Sequence, residues 1–242
     1  MENKKQNRYS ESFRTRASDF DCKGRMKPSA VLDYFQEVAG AHAEMLGVGY
    51  EALLKNDILW VITKVKYQVV GKVEMHKGIR VHTWPQKPSR ITFLRDYLIE
   101  DEDGNPAIIG TSEWVGMNCK TRKLAQMSDV YELDSFCEDK SFEEKLVKVK
   151  DFAEAQSEKT VIPEYCDLDI NDHVNNIKYA DYVMNSVDVE NAEIERFQID
   201  YHREVKKAMP VCIKTFREGN TVFAKGVSDE GEKMFSCSFI LK

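Results

Sequence analysis

Two stretches of the chain gather apolar residues on one helical face, and each is followed by alternating, strand-like runs. Val31, Leu32, Phe35, Val38 and Ala39 recur at helical spacing behind Pro28 and Ser29 and predict a helix over residues 29–46. Ile177, Ala180, Val183, Met184 and Val187 repeat that spacing and predict a second long helix, with Asn175 or Asn176 as N-cap. The runs LWVITKVKYQVV, GIRVHTWPQ, ITFLRDYLIED and PAIIGTSEWVGMN follow the first helix, with DEDGN as a hairpin turn. RFQIDYHREV, VCIKTFRE, TVFAKGVSD and KMFSCSFIL follow the second, with turns at EGN and DEGE. Each half is therefore one long helix and about four antiparallel strands, an α+β layout. Residues 129–159 are rich in charge without an apolar face, and read as a connector between domains spanning 1–128 and 160–242.

The halves also align with each other. A constant offset of 148 sets DFDCKGRMKPSAVLDYF above DLDINDHVNNIKYADYV, matching Asp19 with Asp167, Asp21 with Asp169, Asp33 with Asp181 and Tyr34 with Tyr182. Further on, an offset of 134 sets VKYQVVGK on IDYHREVK, matching Tyr67 with Tyr201 and Lys72 with Lys206. Two matching windows in one order, each leading into strands, point to an internal duplication.

Composition narrows the function classes. Apolar residues at 42% supply a core and charged residues at 31% a surface, as in a globular protein. A net charge of −6 argues against nucleic acid as the main partner. Basic residues still cluster at Lys120, Arg122 and Lys123, and at Lys206 and Lys207. The start, MENKKQNRYS, has no apolar signal region, and no apolar run approaches the ~18 residues of a membrane span. Six dispersed cysteines form no CxxC pair, which suits free thiols in a reducing cytoplasm and gives no metal site.

Candidate chemistry sits ahead of the second helix, where Asp169, Asn171 and His173 occupy alternate positions. Singly, Asp and Asn before a helix are turn and cap residues, and Glu204 after Arg203 is an edge-strand ion pair. The repeat weighs against that for three of them. The first copy keeps the aspartates but has Lys23, Arg25 and Val70 where the second has Asn171, His173 and Glu204. A trio needed only for folding should occur in both copies.

The D-x-N-x-H-V-N-N-x-x-Y block resembles the loop of the hotdog-fold acyl-acyl carrier protein thioesterase family, which carries tandem copies in one chain. LDYFQEVAGAHAEMLG, ILWVITKVKYQV, WVGMNCKTRKLAQM and IDYHREV match further family segments, so the resemblance runs over nearly the whole chain. It implies two tandem hotdog domains, each a long helix wrapped by an antiparallel sheet. It implies hydrolysis of a fatty acyl-carrier thioester, with acyl carrier protein as partner and no cofactor. Carried over, the catalytic residues are Asp169, Asn171, His173 and Glu204. Val205 stands where plant members have cysteine, so that thiol nucleophile is missing.

The residues can hydrolyse a thioester through water alone. Glu204 or His173 serves as general base. Asn171, or backbone N–H groups near Val174 and Asn175, polarises the carbonyl. Asp169 orients His173 or Asn171. The first copy then becomes the non-catalytic, acyl-binding half, with Phe35, Val38, Met45 and Asn175 expected against the substrate. An acyl-CoA thioesterase and a non-catalytic acyl-thioester-binding regulator stay open as alternatives, as do a homodimer, the chain length and the carrier.

Overall fold

The computed structural model describes residues 7–126, 136–189 and 191–242, and joins ten strands into one antiparallel sheet. The boundary placed at 128/129 lies outside the described residues. The first half contributes β1 (Tyr9–Arg14), β2 (Ile58–Val69), β3 (Gly78–Pro85), β4 (Phe93–Glu100) and β5 (Pro106–Asn118). The second contributes β6 (Ser157–Val161), β7 (Ile194–Tyr201), β8 (Val211–Glu218), β9 (Thr221–Ser228) and β10 (Lys233–Leu241). The order β1-β3-β4-β5-β2-β7-β10-β9-β8-β6 is the same in each half when counted inward from its own edge.

The register at the β2–β7 seam carries the symmetry to single residues. Val65 faces Ile199, flanked by Lys64 opposite Asp200 and Lys66 opposite Gln198. The offset of 134 makes Ile199 the repeat counterpart of Val65 and interchanges the two flanking pairs. A local two-fold axis therefore passes through the Val65–Ile199 pair. Alternation along these strands sends Val65, Tyr67, Phe197 and Ile199 into the core, all at most 2% exposed.

Helix α1 (Pro28–Met45) covers the inner face of the first half-sheet. Its Phe35 ring stacks on Tyr97 of β4 at 4.2 Å. Gly110 on β5 permits this, since a Cβ there would lie 2.2 Å from the Phe35 ring. A short α2 (Tyr50–Leu54) follows. The counterpart helix, α3, covers only Lys178–Met184, much shorter than the second long helix expected from the apolar spacing. Its end is set locally: the Ser186 hydroxyl donates to the Tyr182 carbonyl at 2.7 Å, and Asn185 caps the last turn. At its start, Asn175 Oδ1 accepts the Ile177 N–H at 3.2 Å, and Ile177 holds the N-cap position.

Two strands went unforeseen, so each half has five. Both β1 and β6 are sheet edges, with sequences YSESFR and SEKTV. An edge strand is held by backbone bonds to one neighbour and needs no apolar alternation. Strand β6 also begins inside the segment read as connector.

The described part of that segment ahead of β6, residues 136–156, is a strap over the outer face of the sheet. It advances strand by strand, as Asp96 on β4 accepts the Ser141 N–H at 3.0 Å and Asp200 on β7 accepts the Val149 N–H at 2.8 Å. Lys66 on β2 pairs with Glu144 at 2.7 Å, and Gln156 donates its N–H to Thr215 on β8 at 2.8 Å. Phe142 is buried beneath it, 4.1 Å from the Lys66 ammonium. The cover explains how Lys66, Asp96 and Asp200 are buried on the polar face.

Phe142→Ala should destabilise the protein by about 3 kcal/mol, read from urea unfolding; a change under about 1 kcal/mol would show that the strap is loosely held. Asp151, bonded to Lys225 and Lys233, is held well below the usual carboxylate range by those hydrogen bonds. Its stabilisation is present above the unfolded-state pKa and lost as pH falls through the depressed folded value. Lys225→Ala together with Lys233→Ala should therefore flatten part of the acid-side loss in the urea midpoint.

Candidate active site

Both copies build their loop in the same way. Each opens with a 3-10 turn, Ala17–Asp19 or Tyr165–Asp167. Asp19 Oδ2 accepts the Arg16 N–H at 2.7 Å, and Asp167 Oδ2 accepts the Glu164 N–H at 2.9 Å. Asp21 Oδ1 then accepts the Lys23 and Arg25 N–H groups, both at 2.9 Å. Asp169 Oδ1 accepts those of Asn171 and His173 at 2.8 and 3.3 Å. The left-handed residue of the first loop is Gly24, at φ +75°, and its counterpart is Asp172 at +61°. Asp169, expected to orient His173 or Asn171, thus meets both residues through their backbone N–H groups. Its hydrogen bonds fold the loop, as those of Asp21 do.

The two loops diverge in what they present. Arg25 turns back to Asp21 at 2.7 Å and also donates to the carbonyls of Val189, at 3.1 Å, and Ala192. Burial alone would raise the Asp21 pKa, but the Arg25 bonds outweigh it and hold the carboxyl below its usual value. Arg25 is a clasp between halves. In the second loop, His173 Nε2 lies 3.4 Å from Glu204 Oε2. Glu204 was expected on a strand, but β7 stops at Tyr201, where the His202 and Arg203 N–H groups both turn to the Met234 carbonyl at 2.9 and 3.0 Å. Val205 then plunges into the core, fully buried, and Glu204 is left facing His173.

Two expected oxyanion donors are already engaged. The Val174 N–H bonds the Val205 carbonyl and the Asn175 N–H bonds that of Asp167, both at 2.8 Å. Helix α3 starts beyond them, so these groups serve the loop rather than a ligand.

Asp169, Asn171, His173 and Glu204 line one end of a cavity of about 880 Å³. It extends under the first half, between α1 and the inner faces of β2, β4 and β5, with walls from Ala39, Ala43, Leu53, Trp60, Phe93 and Trp114. Trp60 meets Phe93 edge-on at 4.8 Å and donates to the Val48 carbonyl at 2.9 Å. At the β4 side Arg95 donates to His42 Nδ1 at 2.9 Å. None of Phe35, Val38, Met45 and Asn175 is among the lining residues. Phe35 and Val38 fill the core, Met45 is 56% exposed, and Asn175 makes its turn. The cavity instead follows a face of α1 formed by Gln36 and the small residues Ala39, Gly40 and Ala43, where the absence of bulk at the last three makes room. Arg122, read from sequence as part of a basic surface cluster, lines the cavity and pairs with Glu204 Oε2 at 2.8 Å. No signal in its neighbourhood distinguished it from Lys120 and Lys123.

Comparison with known proteins decides the family. A model of the acyl-ACP thioesterase N-terminal domain matches residues 6–133, and one of the C-terminal domain matches residues 150–240. The chain belongs to the acyl-ACP thioesterase family. It is 27% identical, over 97% of its length, to a chloroplastic palmitoyl-acyl carrier protein thioesterase of Gossypium hirsutum. It is 29% identical, over 81% of its length, to a chloroplastic oleoyl-acyl carrier protein thioesterase of Coriandrum sativum. The matches cover 60% and 59% of those two relatives' lengths. In structure it resembles an acyl-ACP thioesterase from Bacteroides thetaiotaomicron, with a TM-score of 0.91 at 22% identity over 98% of both chains. A 12:0-ACP thioesterase from Umbellularia californica gives 0.83 at 22% identity, also over 98% of both chains. The acyl-ACP thioesterase architecture of two hotdog units therefore accounts for the mirrored sheet.

The paired loops of this acyl-ACP thioesterase family member should fail alike when their aspartates are removed. Asp21→Ala and Asp169→Ala should each lower stability by about 1.5–3 kcal/mol, the scale for hydrogen bonds to a charged group. Thermal melts showing Asp169→Ala at wild-type stability would contradict the backbone role.

Proposed function

We propose that the protein hydrolyses the thioester joining a fatty acyl chain to acyl carrier protein, releasing the free acid and the carrier thiol. The supporting observation is the juxtaposition of His173 and Glu204, 3.4 Å apart, at the mouth of a largely apolar-walled cavity in a member of this family. The acyl chain enters between α1 and the sheet of the first half, leaving the thioester carbonyl beside the second-half loop. The first half thus binds the chain and the second carries the chemistry.

In this reading Glu204, supported by His173, takes a proton from water as its oxygen adds to the thioester carbonyl. The amide of Asn171, a residue of the cavity wall, stabilises the oxyanion, a role it takes because the nearby backbone donors are engaged. Collapse breaks the carbon–sulfur bond, and the proton passes through His173 to the departing thiolate. No covalent enzyme intermediate is involved. Val205 is buried where a thiol would be required, and no cysteine lines the cavity among the described residues.

The rim favours an acidic carrier. Lys206 lines the mouth beside Glu204, and Lys207 and Lys123 lie next to Lys206 and Arg122 in the chain. A matched comparison of acyl-carrier protein and acyl-CoA with equal chain length separates this from the CoA alternative; equal kcat/KM would remove the carrier assignment. Six unpaired cysteines fit a reducing compartment.

Glu204→Gln and His173→Ala should keep the fold and lower kcat by roughly 10²–10⁴, the range for a lost general base. Near-wild-type turnover in both would sink the proposed chemistry. Ala43→Leu should shorten the preferred chain, whereas Met45→Ala should leave the product profile unchanged, as read by chromatography of released acids. A profile that responds to Met45 and ignores Ala43 would misplace the acyl site.

A further inference from the structure

Arg122 occupies a backbone position where glycine would be at ease. Its φ of +58° lies in the left-handed region, which disfavours L-residues by about 1–2 kcal/mol. The surrounding turn, residues 118–123, is heavily determined. Asn118 donates its N–H to the Lys123 carbonyl at 2.9 Å, and Arg122 donates to that of Asn118 at 2.8 Å. The Asn118 side chain accepts from the Lys120 and Thr121 N–H groups at 3.1 and 2.9 Å. Cys119 ties the turn to the start of β2 through the Asp57 carbonyl at 2.8 Å. A strained residue held this firmly invites a functional explanation.

The turn belongs to the first half, yet its guanidinium reaches Glu204 of the second. Arg122 Nη2 lies 2.8 Å from Glu204 Oε2, the same oxygen that lies 3.4 Å from His173 Nε2. Two basic groups therefore converge on one carboxylate oxygen and leave proton acceptance to Oε1. The side chains of Arg122 and Glu204 are 56% and 38% exposed, and pairs this open add little to stability. Placement matters more, because a misplacement of about 1 Å at a reacting group can lower a rate ~10²-fold.

We propose that Arg122 is a positioning residue of the active site, supplied by the first half, which fixes the Glu204 carboxylate so that Oε1 meets the attacking water. This rests on Glu204 acting as the base. It takes Arg122 out of the carrier-docking cluster and gives the first half a direct part in the chemistry.

The test uses a short-thiol acyl ester, acyl-N-acetylcysteamine, which carries neither a protein nor a phosphate. Arg122→Gly and Arg122→Asn suit the left-handed backbone and remove the guanidinium without straining the turn. Both should melt at or above the wild-type temperature while kcat falls roughly 10–100-fold and KM stays within about two-fold. Arg122→Lys should recover part of the rate. Wild-type kcat in the Gly and Asn variants, with Glu204→Gln inactive, would overturn the proposal and leave the hydrolase reading standing. A loss seen only with acyl-carrier protein would also overturn it, making Arg122 a docking residue. Full activity in Glu204→Gln would instead remove the general base and Arg122's role with it.

Discussion

The antiparallel pairing of β2 with β7 is the constraint on which everything else hangs. It fuses two five-stranded sheets into one, with Val65 and Ile199 on a local two-fold axis. Because the pairing continues the ladder rather than stacking separate units, the inner surface passes from one half into the other. A cavity can then begin at the second-half loop and end beneath the first-half helix. The small face of α1 keeps that space open. The same pairing brings the turn after β5 within reach of the residues after β7, so that Arg122 and Glu204 meet.

The two loops separate scaffold from chemistry. Asp19, Asp21 and Gly24 shape the first much as Asp167, Asp169 and Asp172 shape the second. On that common frame, the position of His173 is taken in the first copy by Arg25, whose guanidinium bonds Asp21 of its own loop and two carbonyls of the other half. The first loop has thus become mechanical, while its twin faces a cavity. Clasp and site are two uses of one backbone geometry.

What could be read from the sequence follows from which forces leave a periodic trace. The inner faces of β2 and β7 alternate because one side is buried, and α1 shows its core stripe through Val31, Phe35 and Val38. The loop aspartates were legible because both copies keep them. Edge strands β1 and β6 left no such trace, since backbone bonds on one side suffice. The strap was equally hidden, because many of its bonds to the sheet are ion pairs through Glu144, Asp151 and the lysines opposite them, and its buried Phe142 belongs to no periodic pattern. The end of α3 is set by local bonds of Asn185 and Ser186, which leave no periodic trace. The cavity's position was hidden for a related reason: large apolar residues such as Phe35 announce the core, whereas a void is marked only by the smallness of Ala39, Gly40 and Ala43.

The strap also changes how the halves relate as molecules. In a two-fold dimer of identical chains, every substitution appears on both sides of the axis, so a clasping arginine and a cavity-lining histidine cannot occupy equivalent loops. Here the halves are tethered, and their pairing is governed by an effective concentration set by the linker rather than by the amount of protein. The seam can then tolerate unequal partners, because neither half must find a copy of itself. Tethering thus frees each loop to change alone, and a chain with one cavity-facing loop and one clasp becomes accessible from a symmetric ancestor.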